Sequence, residues 1–178
     1  MKIRLLPVLT SVVISAAVLF GGYFGYQSYA MENPLNKVVS SIPGVELVSM
    51  NLGGAEATVE VKLQPGTSVR EVYARIMKEG GSALGKKELD LKVVGSESQK
   101  LDAWWSSALF EVAQAMETKQ YAQIPATLEA RAQQSGGGLK VTTEMDNKFV
   151  YITLSEGANS KYVMLPRTPS KLGVWPNE

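Results

Sequence analysis

Residues 59–77 read VEVKLQPGTSVREVYARIM, and the hydrophobic period changes within this one stretch. Val59, Val61 and Leu63 alternate with Glu60 and Lys62, the period of two that marks a half-buried strand. Pro65-Gly66 stops the strand, because proline brings no N–H to a ladder and glycine accepts turn geometry. Ser68 with Glu71 then forms a capping box, and Val69, Val72, Tyr73, Ile76 and Met77 follow at helical spacing. Upstream, Val45 to Leu52 is a partner strand joined through Gly53-Gly54, which favours a hairpin. Downstream, Gly80-Gly81 is expected to end the helix, and Leu89, Leu91 and Val93 alternate with Glu88, Asp90 and Lys92 as a third strand.

A second capping box, Ser96 with Gln99, opens an amphipathic stripe that is the strongest secondary-structure signal in the chain. It runs Leu101, Trp104, Trp105, Ala108, Leu109, Val112, Ala113 and Met116. Pro125 predicts a break, because it removes a helical hydrogen bond, and a further helical piece ends near Ser135 before Gly136-Gly137-Gly138. Three short strands follow at Leu139–Met145, Phe149–Leu154 and Lys161–Leu165, with hairpin-sized, turn-rich connections at 146–148 and 155–160. The order β-β-α-β-α-β-β-β predicts an α+β fold: one compact domain over residues 45–166, with a mostly antiparallel sheet and helices on one face. Residues 167–178 are an irregular tail.

Ahead of this domain, Leu5 to Met31 is a run of 27 residues without a charge. About 20 helical residues cross a hydrocarbon core, so the run can span a membrane with some tilt. Lys2 and Arg4 precede it, and Tyr23, Phe24, Tyr26 and Tyr29 crowd its far end. Basic flanks favour the cytoplasmic side and aromatic rings favour the interface, so residues 1–31 are expected to be a cytoplasmic tip and anchor, with the rest extracytoplasmic. A cleavable signal peptide fits the same segment, since Ser28-Tyr29-Ala30 offers a small-x-small site and cleavage would follow Ala30. Residues 32–44, ENPLNKVVSSIPG, mix turn formers with a short apolar patch and are expected to act as a tether.

The chain has 178 residues, no cysteine and no histidine. Disulfides, thiol nucleophiles, acylated cysteine, imidazole bases and the common zinc shells are therefore excluded. Lys2 and Arg4 account for two of the 18 basic residues, leaving 16 against 17 acidic beyond the anchor, a net of −1. No basic patch or stripe stands out, and nucleic acid is not an expected partner.

The remaining motifs each have a plain structural explanation beside a chemical one. Gly80 to Lys87, GGSALGKK, nearly matches a phosphate loop, but Lys87 replaces the Ser or Thr that would hold Mg²⁺, and helix precedes strand; no nucleotide or other cofactor is expected. Glu144/Asp146 and Glu88/Asp90 stand two apart, so each pair on a strand could share a face and a cation or proton, whereas neighbouring lysines favour solvated faces. Ser96 and Lys100 are the nearest approach to a serine–lysine dyad. Trp104-Trp105 could stack on a partner but fits the core stripe, and Trp175 in the tail has no local pattern that demands burial, so these three are the candidate interaction residues. Gly21 and Gly25 are spaced for close approach of two membrane helices, the candidate self-association site. The expected function is a non-catalytic, membrane-anchored module that binds a protein partner or itself. A small-ligand-binding domain and a carboxylate-dependent hydrolase are the alternatives.

Overall fold

The computed structural model describes residues 5–96 and 98–168. The fold is α+β, with two small, mostly antiparallel three-stranded sheets and a long apolar helix at the N-terminus. The described residues form two compact units, one drawn from residues 5–64 and 73–92 and the other from residues 65–72, 93–96 and 98–168. The single sheet expected from the strand count is therefore two: alternation tells which residues face inward, but not which strand lies alongside.

The first unit begins with helix α1 (Leu5–Gln27), continues through a π turn at Ser28–Glu32 and enters helix α2 (Asn33–Ser40). The expected tether is thus largely helical, and it is part of the core: Leu35 and Val39 are fully buried and Ile42 nearly so. Pro34 stands in the first positions of α2, directly after the π turn at Ser28–Glu32, where the helical hydrogen-bond pattern changes. Strands β1 (Val45–Asn51) and β2 (Glu56–Leu63) pair antiparallel, with a bulge between Leu47 and Ser49 that leaves Val48 exposed. On β2, Ala57, Val59, Val61 and Leu63 are buried in strict alternation. Strand β3 (Glu88–Val94) completes the order β1-β2-β3.

Helix α3 (Val69–Leu84) does not stop at Gly80-Gly81 but runs one further turn, to Gly85 in the left-handed conformation (φ 62°). Gly80 serves packing instead of termination. A Cβ there would lie 2.6 Å from Leu35 Cδ1, so glycine lets α2 and α3 approach closely.

The second unit contains helices α4 (Gln99–Glu117) and α5 (Gln123–Gln134) and the strands β4 (Leu139–Met145), β5 (Phe149–Glu156) and β6 (Asn159–Pro166), in the antiparallel order β4-β5-β6. The N-cap of α4 is Ser98, whose Oγ accepts the Leu101 N–H, not Ser96. The helix break falls at 118–122, and Pro125 sits in the first turn of α5, where it forfeits no hydrogen bond. Leu101, Ala108, Val112, Ala115, Ile124 and Leu128 form a core with Val150, Ile152 and Leu154. Leu109 and Ala113, placed on the stripe by spacing, lie outside it, and Ala115 takes the inward position.

Both hairpins are tight. Asp146 Oδ1 accepts the backbone N–H groups of Lys148 (2.7 Å) and Phe149 (2.8 Å), closing β4 to β5. Gly157 (φ 59°) and Ala158 alone join β5 to β6, so the two strands extend further than their hydrophobic pattern indicates.

Candidate functional site

The sheet of the second unit has two faces of different chemistry. Val150, Ile152 and Leu154 face the helices, so the period of two sends Thr153 and Ser155 to the other side. The pairing sets Lys140 opposite Ser155 and Thr142 opposite Thr153 on one flank, and Ser160 and Tyr162 opposite the same residues on the other. This polar face is the floor of an open cleft of about 260 Å³. Residues 65–68 line the cleft as well, at the turn where Gly66 (φ 88°) leads to the start of α3.

Glu144 also lines the cleft, and it holds this segment to the sheet. One of its oxygens accepts the Ser68 hydroxyl (2.6 Å) and the other accepts Arg70 Nε–H (3.1 Å). The Ser68 Oγ in turn accepts the Glu71 N–H, as a helix N-cap does. Hydrogen bonding to Glu144, then its charge, raises the pKa of the Arg70 guanidinium above its ordinary value. The carboxylate is thus matched by a cation. Lys140 is exposed and makes no ion pair among the described residues.

Asp146 lies just beyond the strand, in the hairpin turn. Burial alone would raise its pKa, but the Tyr151 hydroxyl (2.6 Å) and the Phe149 and Lys148 N–H groups outweigh that and hold it below the ordinary carboxylate value. A general acid needs the opposite shift, and both oxygens of Glu144 are already engaged, so neither residue is arranged for glycosidic proton transfer. In the other pair, Asp90 meets Thr58 Oγ1 (3.4 Å) and Lys92 (3.6 Å). Among the described residues no group of three or more acidic, histidine or cysteine side chains could hold a metal ion.

The structure places the remaining motifs separately. Gly80 and Gly81 lie within a helix, and Lys87 Nζ donates to the carbonyls of Leu52 and Gly54, so the phosphate-loop resemblance has no cradle. Ser96 Oγ accepts the Ser160 N–H while Lys100 pairs with Glu156, which separates the nominal dyad. Trp104 and Trp105 are half-buried against the core of the second unit. Gly21 and Gly25 stand one turn apart on α1 with open space where a Cβ would project. Trp175 lies outside the described residues.

Sequence pattern missed two surface features. Phe110 is 83% exposed on α4, beside Leu109 at 42%. Its position off the 101–108–112 stripe was a legible signal, since a large ring there must face away from the core. The cleft gave only the polar alternation of its strands, because the approach of residues 65–68 is non-local. No family model matches this chain, and no curated protein or solved structure matches it.

Proposed function

We propose that this chain is a single-pass, membrane-anchored protein whose residues beyond α1 lie on the extracytoplasmic side and act, without catalysis, as a protein-interaction module at the membrane surface. The observation that carries the anchor is the exposure of α1. Its large apolar side chains from Leu9 to Tyr26 stand free, and the helix is long and apolar enough to cross a bilayer. At 1.5 Å per residue, about 20 of its residues match a hydrocarbon core of about 30 Å. In water that largely apolar, uncharged surface is costly, and lipid removes the cost while the helix satisfies its own backbone. The aromatic cluster Tyr23, Phe24, Tyr26 and Tyr29 and the basic residues Lys2 and Arg4 give the orientation, N-terminus inside.

Because α1 passes into α2 without a loop, and α2 is buried through Leu35 and Val39, the anchor joins the first unit by a helix and not by a slack linker. Phe110 and Leu109 support the interaction half of the proposal, since an exposed ring of this size resembles an interface anchor.

Alkaline extraction of membranes, followed by intact mass measurement, tests the anchor. Retention in the membrane at full length is expected. A soluble species beginning at Met31 overturns the anchor and puts a secreted protein in its place. In-cell crosslinking of the full chain tests the second half. A discrete adduct that Phe110→Glu removes is expected, and an adduct indifferent to that change, or none, overturns the role given to α4.

A further inference from the structure

We propose that the cleft on the polar face of β4-β5-β6 binds a single acidic sugar residue, a pyranose ring carrying a carboxylate. The proposal concerns the second unit alone and stands whether or not α1 is retained in a membrane.

Three observations select the ligand. The first is charge. Glu144 is matched by Arg70, so among the described residues that line the cleft the one charge without an ion pair is the ammonium of Lys140. An anion entering the cleft gains that attraction without displacing an existing ion pair.

The second is the hydrogen-bonding surface. Thr142, Thr153, Ser155 and Tyr162 line the cleft, and none makes a side-chain hydrogen bond among the described residues. Each hydroxyl can both donate and accept, which suits a ligand whose own hydroxyls do both and which a bare inorganic anion does not use. Tyr162 adds a ring whose apolar body can cover the carbon face of a sugar while its hydroxyl remains wet.

The third is size and shape. A volume of about 260 Å³ falls just under the range of about 300–1,000 Å³ usual for drug-sized ligands, so it suits one ring better than an extended chain. The cleft opens to solvent, which leaves room for the ring to be the end unit, or one unit, of a longer glycan.

The carboxylate would meet Lys140 Nζ, and the ring hydroxyls would meet the row Thr142, Thr153 and Tyr162. Ser155 stands in the same cross-strand row as Lys140, directly opposite it, and can serve the same carboxylate.

Titration calorimetry of the full chain in detergent micelles tests this with glucuronate, glucose and inorganic phosphate as probes. Saturable glucuronate binding in about the millimolar range is expected, at least tenfold tighter than glucose. Lys140→Gln should weaken glucuronate by at least tenfold and bring it level with glucose, while its melting temperature matches the parent chain. Thr142→Val with Thr153→Val should weaken both sugars together. Phosphate binding as tight as glucuronate overturns the proposal in favour of a simple anion site. Absence of saturable glucuronate binding, or binding indifferent to Lys140→Gln, overturns it outright.

Discussion

The two sheets have the same number of strands but bury them differently. On β2, buried and less buried residues alternate without exception from Glu56 to Val61, and the strand presents one apolar face. On β5, Val150, Tyr151 and Ile152 are buried in succession, so around Tyr151 the strand is covered on both sides. Tyr151 makes this possible. Its ring is buried on the polar face while its hydroxyl donates to Asp146, so the polar atom is not left unsatisfied. A one-faced strand tolerates changes on its outer side; a two-faced strand does not. The second unit should therefore be the more sensitive to substitutions in its central strand.

The largest effect is expected from Ile152→Ala. Ile152 is fully buried between helices and sheet, and truncation should cost about 2–5 kcal/mol through lost burial and a residual cavity. Hydrogen exchange on the full chain should show protection falling across 139–166 with little change across 45–63. A uniform fall would show that both sheets open as one cooperative unit. Next comes Gly95→Ala, where a Cβ would collide with the backbone carbonyl of Ser160 and cost about 1–3 kcal/mol. A denaturant midpoint unchanged from the parent would show that the 95–160 approach can relax.

Asp146→Ala should cost about 1–2 kcal/mol by removing a charged acceptor from three donors. The pH dependence has a definite sign. The folded pKa lies below the unfolded value of about 3.9, so the contribution is complete above that value and is lost as pH falls through the folded one. The stability gap between parent and variant should be constant at neutral pH and shrink below about pH 4; a gap that widens on acidification would contradict the shift. The smallest effect has the opposite sign. Gly81→Ala, in a helix interior with open space at the Cβ, should stabilise by about 0.5–1 kcal/mol, whereas Gly80→Ala meets Leu35 and should lose that gain. Equal melting temperatures for the two variants would remove packing as the reason for glycine at 80.

Most elements were legible because their signals are local. Ser68 caps α3 as its spacing with Glu71 implies, and the Asp146 turn closes the hairpin where turn residues cluster. Two readings failed where a local signal met a distant contact. Gly80-Gly81 resembles a helix stop until Leu35 is found against it. Asn33–Ser40 resembles a tether because eight residues carry only a short apolar patch, and burial of Leu35 and Val39 makes it a helix. A shared site at Glu144 and Asp146, the alternative to solvated faces, does not form, since one is taken by Ser68 and Arg70 and the other by its own turn.

From composition and periodicity alone follow the α+β class, the apolar N-terminal helix, and the exclusion of histidine and cysteine chemistry. These depend on which residues exist and on their spacing along one element. The tertiary structure decided the division of six strands into two sheets, the close packing at Gly80 and Gly95, and the turn at 65–68 that makes a cleft over Lys140 and Thr142. Each of these joins residues far apart in the chain. Strand pairing and close packing are chosen by the free energy of the whole fold, and no spacing within a single element records that choice.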